Sequence, residues 1–132
     1  MAETSPSQLL SDLEAAAKAK DANKLATYYA SDAVFCGTPE EIVTGQNAIK
    51  NDFAKQFQNG WVLTGITPNQ PSINLINQNC AWAVGQWTGS FPALGPLSGC
   101  WSILLVNQGT SGQPNWLIQQ HTIVTDLPSQ AR

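Results

Sequence analysis

His121 is the only histidine in the chain, and it sits at the end of the run Trp116-Leu117-Ile118-Gln119-Gln120-His121. An imidazole with an ordinary pKa of about 6.5 can take or give a proton near neutrality, which makes His121 the candidate general acid or base. The same residue also fits a structural histidine, hydrogen-bonded to a neighbouring strand or standing at a subunit interface. Its sequence neighbourhood offers no carboxylate to orient it: no Asp, Glu, Lys or Arg occurs between Lys55 and Asp126, a gap of seventy residues. Tyr28 and Tyr29 are the only tyrosines, and either hydroxyl could be offered to a ligand. Asp32 is expected to serve a turn, and Asp52 to face water.

Other chemistries are not indicated. Cys36, Cys80 and Cys100 form no C-x-x-C pair and no Cys/His cluster, so zinc and dithiol chemistry are not expected, and the thiols read as small buried hydrophobes. Nothing in the sequence suggests a phosphate-binding loop, a metal site or a nucleotide cofactor, and none is expected. The net charge of −3 and the scattered basic residues argue against a nucleic-acid partner. Lys18, Lys20 and Lys24 mix with Glu14 and Asp21 on what reads as a solvated helical face. Met1 to Gln8 lacks the layout of a signal peptide, and no apolar run approaches the roughly twenty residues of a membrane span. A soluble, cytoplasmic protein with no membrane partner is the expectation.

The elements that must position these residues follow from the pattern. A chain of 132 residues suits one domain, residues 1–132, large enough to bury a core unaided. Ser5-Pro6-Ser7-Gln8 has the form of a helix start, with Ser5 as cap, Pro6 in the first turn and Gln8 closing a capping box. Leu9, Leu10, Leu13, Ala16 and Ala17 then recur at helical spacing. Asp21 caps a second, short helix with Leu25, Tyr28 and Tyr29 inward, ended by Ser31-Asp32. A third helix runs from Thr44 or Gly45 to about Gln58 on a stripe of Ala48, Ile49, Phe53 and Phe57.

Strands account for the rest. Ala33 to Gly37 and Ile42-Val43 are short ones, separated by a loop at Thr38 to Glu41. After Gly60 come Trp61–Thr67, a break at Pro68–Pro71, Ser72–Ile76, Cys80–Phe91, Leu97–Asn107 and Trp116–Asp126. The uncharged half could be taken for a disordered polar tract, but it carries all five tryptophans and many β-branched residues, enough apolar area to offset its ordering entropy. Helices first and strands later give an α+β domain with the helices on one sheet face. In Cys80–Phe91 one face shows Ala81, Ala83, Gly85, Trp87, Gly89 and Phe91, the other Trp82, Val84, Gln86 and Thr88. Both faces carry a tryptophan, and three helices cover only one, so a second copy is expected on the outer face, as a homodimer.

Four segments in order carry a resemblance: Tyr29-Ala30-Ser31-Asp32-Ala33-Val34, Gly45-x-x-Ala48-Ile49, Ala81-Trp82-Ala83-Val84-Gly85-x-Trp87, and Trp116-x-Ile118-x-x-His121. From about Leu9 to about Leu127 the chain resembles the nuclear transport factor 2-like superfamily, and within it the SnoaL-like and ketosteroid isomerase-like proteins. The resemblance implies a cone of the cystatin-like α+β type: three helices in the concave face of a strongly curved mixed or antiparallel sheet, a pocket at one end, and frequent dimerisation.

It also implies where chemistry would sit. The ketosteroid isomerase base would fall at Gly37, beside Cys36 and Thr38, and none of these can take a proton from carbon. The first helix has no tyrosine, and the charge-free stretch between Lys55 and Asp126 excludes the aspartate of that family's oxyanion hole. The arginine-bridged aspartates of epoxide hydrolases are excluded because Arg132 is the only arginine. His121 is the residue the resemblance carries to the pocket. Gln86, Gln119 and one of Tyr28 or Tyr29 would orient a ligand, with Trp87 and Trp101 as walls and Glu40 and Glu41 near the mouth. Three functions remain open: binding of a small, mostly apolar molecule; an isomerase or lyase using His121; and a non-catalytic oligomerisation scaffold.

Overall fold

The computed structural model describes residues 5–37, 41–67, 73–110 and 112–126. Its helices are α1 (Pro6–Lys18), α2 (Ala22–Ala26) and α3 (Gln46–Gln58). The Ser5 hydroxyl accepts from the Gln8 backbone N–H at 3.2 Å, a working N-cap. The expected capping box does not close, because the Gln8 amide reaches forward to Asp12 at 2.8 Å instead. Leu9, Leu10, Leu13, Ala16 and Ala17 are all buried, as the helical spacing requires.

Asp21 caps α2 through the Lys24 N–H at 3.0 Å, but the helix is shorter than expected. Thr27 closes it by returning its hydroxyl to the Lys24 carbonyl. Tyr28 and Tyr29 therefore leave the helix, and Tyr29 opens a strand where Ile118 N–H donates to the Tyr28 carbonyl at 2.8 Å. The available ladder on a long strand outweighs one more helical turn.

The strands are β1 (Tyr29–Gly37), β2 (Glu41–Thr44), β3 (Val62–Thr67), β4 (Asn74–Asn77), β5 (Cys80–Phe91), β6 (Gly95–Asn107) and β7 (Trp116–Asp126). They form one sheet in the order β2-β1-β7-β6-β5-β3, with β4 sharing the outer edge of β5. Among the described residues only β1 and β7 pair in parallel, and the other pairs are antiparallel. The sheet curls around the helices without closing. The expected break at Pro68–Pro71 lies outside the described residues, as do Thr38 to Glu40 of the expected loop; Glu41 begins β2.

Two irregularities lie side by side. On β7, Ile118 pairs with Leu105 and Gln120 with Leu104, so Gln119 is an extra residue. On β1, Tyr29 pairs with Ile118 and Val34 with Gln120, so the β1 chain bulges outward at Ser31-Asp32, both exposed. An extra residue flips the alternation of everything beyond it. Trp116 and Ile118 point inward before the bulge, and His121 does so after it. Strict alternation along β7 would place His121 with Leu117 and Gln119, facing away from Trp116 and Ile118; the bulge at Gln119 reverses that and turns His121 inward.

The expected faces of β5 are observed: Ala81, Ala83 and Trp87 are buried, whereas Trp82, Val84, Gln86 and Thr88 are exposed. The cysteines do not follow expectation. Cys36 and Cys80 are half-buried and Cys100 is exposed, because strand alternation turns Cys100 with Ser98 toward the outer face. No described helix is long and apolar enough to cross a membrane.

Candidate functional site

Between the helices and the inner sheet face lies a cavity of about 220 Å³. From the sheet come Tyr29 of β1, Leu63 and Ile66 of β3, Trp87 of β5, Trp101 and Ile103 of β6, and His121 and Ile123 of β7. The helices contribute Leu10, Leu13, Ala17, Leu25 and Phe53, and Trp61 stands just before β3. Ser7 and Ser11 of α1 line the cavity yet are solvent-exposed, so the opening lies along that helix. Glu14 completes the row and pairs with Lys18 at 2.9 Å.

Two tryptophans of the wall are held by their indole nitrogens. Trp87 Nε1 donates to the Val124 carbonyl and Trp101 Nε1 to the Gln86 carbonyl, each at 3.2 Å. Both donors are thereby engaged with backbone, leaving ring faces and edges to the cavity.

The polar end is built by Tyr29 and His121, residues 92 positions apart, with the tyrosine oxygen 2.7 Å from His121 Nδ1. Their rings are nearly parallel, at an interplanar angle of 20°. Phe35 meets the imidazole edge-on with centroids 5.2 Å apart, and also contacts Phe53 at 5.0 Å. Burial in this apolar shell lowers the His121 pKa to about 3 and pushes the Tyr29 phenol well above its ordinary range. Both groups are neutral at physiological pH. Among the described residues no cluster of ligating side chains suits a metal ion.

Four of the residues expected from the sequence thus converge: Tyr29, Trp87, Trp101 and His121. Three do not. Gln86 is exposed on the outer face, because it alternates with Trp87 on one strand. Gln119 is the bulged residue, and its amide donates to Asp32 at 3.1 Å on the surface, which also gives Asp32 a role beyond a turn. Tyr28 is half-buried away from the cavity, with its pKa raised by desolvation and by the charges of Asp12 and Asp21. Glu40 lies outside the described residues.

Phe53, Trp61 and the α1 row Ser7, Ser11 and Glu14 were not anticipated. The row was readable: its 7, 11, 14 spacing follows the buried stripe one step round the helix. Asp52, expected in water, is half-buried and lines a narrow annexe of about 30 Å³ with Phe35, Trp61 and Thr125. At Gly37, where an isomerase base would stand, a Cβ would lie 2.7 Å from the Phe35 ring, so the position has no room for a carboxylate side chain as packed.

The family described as the SnoaL-like domain matches residues 7–123, and the chain belongs to it. No curated protein matches in sequence. Among solved structures, an NTF2-like protein of unknown function from Pseudomonas putida superposes with a TM-score of 0.75 at 13% identity, covering 94% of this chain and 86% of that one. A ketosteroid isomerase-like protein from Erwinia carotovora atroseptica gives 0.70 at 13% identity, covering 91% and 92%. The yeast UBP3-associated protein BRE5 gives 0.72 at 18% identity, covering 90% and 92%. At these identities the likeness is one of fold, and a single fold carries many functions.

Proposed function

We propose that this SnoaL-like protein binds a small, neutral, mostly apolar molecule in its cavity. The observation that carries this reading is the buried, uncharged Tyr29–His121 pair set into an otherwise aromatic and aliphatic wall. Pockets of this make-up use a few convergent polar groups to orient a ligand held by apolar contact. Filled at ordinary packing density, about 0.75, the cavity takes roughly 165 Å³ of ligand, on the order of a dozen non-hydrogen atoms. A charged ligand at the inner end would lose its hydration without meeting an opposite charge.

The isomerase or lyase reading has less support. An imidazole whose pKa lies near 3 is a weak base and is unprotonated at neutrality, so it is ill matched to proton transfer there. The scaffold reading is supported by the outer sheet face, where Trp82, Val84 and Val124 stand exposed. We propose a second copy of the chain as the occupant of that face, a function compatible with a filled cavity.

The test of the binding reading uses the tryptophans of the wall as reporters. Neutral bicyclic probes should change Trp fluorescence saturably and raise the melting temperature. Ala17→Phe, which fills the cavity from α1, should abolish both effects while leaving a folded protein. A folded Ala17→Phe variant that still binds these probes equally well would show that the cavity is not their site, and the reading would fail.

A further inference from the structure

We infer that Tyr29 is a positioning residue that sets the hydrogen-bond polarity of the cavity: its hydroxyl donates to His121 Nδ1, holds the imidazole as the Nε2–H tautomer, and so makes the cavity select neutral apolar molecules that carry an acceptor, chiefly a carbonyl oxygen. The ligand class rests on the binding reading above; the tautomer does not.

The assignment follows from counting protons. The neutral imidazole has one N–H and the phenol one O–H, and the 2.7 Å contact uses one of them. If Nδ1–H were the donor, the phenol proton would need a second acceptor. Among the described residues the Tyr29 hydroxyl has no hydrogen bond other than that to His121, and the residue is 1% exposed. A buried hydroxyl proton left without an acceptor costs about 1–3 kcal/mol. With Tyr29 as donor, no proton is stranded in the contact. A phenol is also the stronger donor of the two, and a bare imidazole nitrogen the stronger acceptor.

The remaining proton then sits on Nε2. His121 lines the cavity, and Nδ1–Tyr29 is its hydrogen bond among the described residues. Among those residues no buried side-chain nitrogen or oxygen lacks a partner, so Nε2 is not sealed in protein but open to the space beside it. The cavity's inner end is consequently an N–H donor among aromatic and aliphatic groups. A ligand without an acceptor leaves that donor dehydrated and unpaired, whereas a carbonyl oxygen satisfies it. The Trp87 and Trp101 indoles cannot substitute, since both N–H groups are held by backbone carbonyls.

A single histidine makes the test direct. In protein labelled with nitrogen-15 at histidine, wild type near neutral pH should show one ring nitrogen with a pyridine-like shift, assigned to Nδ1, and one with a pyrrole-like shift, assigned to Nε2. The reverse assignment in the folded protein overturns the inference without any ligand. Tyr29→Phe keeps the ring and removes the hydroxyl, and should convert the spectrum to a mixture of tautomers; an unchanged spectrum would deny Tyr29 its role. The ligand class is read with 2-decalone against its parent hydrocarbon decalin. Wild type should prefer the ketone at least about tenfold, the worth of one satisfied buried donor, and Tyr29→Phe should narrow that ratio. Equal affinities in wild type overturn the carbonyl preference. Failure of both probes to bind counts against the cavity reading and the ligand class together, and the nitrogen shifts still decide the tautomer.

Discussion

Trp101 lies across Gly85, its partner in the β5–β6 ladder, so closely that a Cβ on the glycine would stand 2.6 Å from the indole Cζ2. The relationship is repeated on the same ladder: Trp87 pairs with Gly99, where a Cβ would stand 2.9 Å from the indole Nε1 and 1.8 Å from the Val124 carbonyl oxygen. Each tryptophan thus covers a glycine of the opposite strand, and both rings line the cavity. These glycines give the aromatic wall its place.

Replacing Gly85 by alanine should therefore destabilise the fold, although glycine-to-alanine changes in extended chain ordinarily reduce the entropy lost on folding. The methyl must displace the Trp101 ring, an overpacking cost of about 1–3 kcal/mol. Gly112, where an added Cβ would meet nothing within 4 Å, is the control and should be neutral on substitution by alanine. Urea midpoints of the two variants at unchanged m-value give the comparison, and a Gly85→Ala variant as stable as wild type would contradict the packing described.

The pH dependence of stability follows from His121. Its folded pKa of about 3 lies below the ordinary value of 6.5, so between those limits the unfolded chain binds a proton that the folded one excludes. Stability must then fall as pH drops from about 6.5 toward 3, at up to about 1.4 kcal/mol per pH unit from this residue. Above pH 7 the histidine contributes no slope. His121→Gln should be less stable at neutrality yet show a flatter acid limb, and equal slopes in the two proteins would mean that the imidazole is not held neutral.

Much of this was legible from residue pattern, and the parts that were not share a cause. The α1 stripe, the caps at Ser5 and Asp21 and the span of β7 depend on local spacing, which a sequence displays directly. The placement of Gln86 on the face opposite Trp87 was also local and should have removed it from the site. Tyr29 joining β1, the Gln119 bulge and the inward turn of His121 depend on which strand lies alongside, and no composition marks that. A bulge moves half a strand to the other face with no change in residue type, so the Tyr29–His121 pair becomes visible only in three dimensions.

The outer face gives the last prediction. Trp82, Val84 and Val124 are 42%, 53% and 55% exposed, and β3 to β6 carry no charged residue at all. Two such faces brought together by a twofold axis meet without charge repulsion and remove apolar area from water on both sides. Light scattering should give twice the mass of one chain. Val84→Lys and Val124→Lys point into solvent in a single chain, where surface changes ordinarily alter stability by less than about 0.5 kcal/mol. In a dimer each would bury an unpaired ammonium against an apolar partner, so the double variant should run as a folded monomer. A wild type that is monomeric at every concentration would refute the sheet-to-sheet dimer, and so would a double variant that still dimerises.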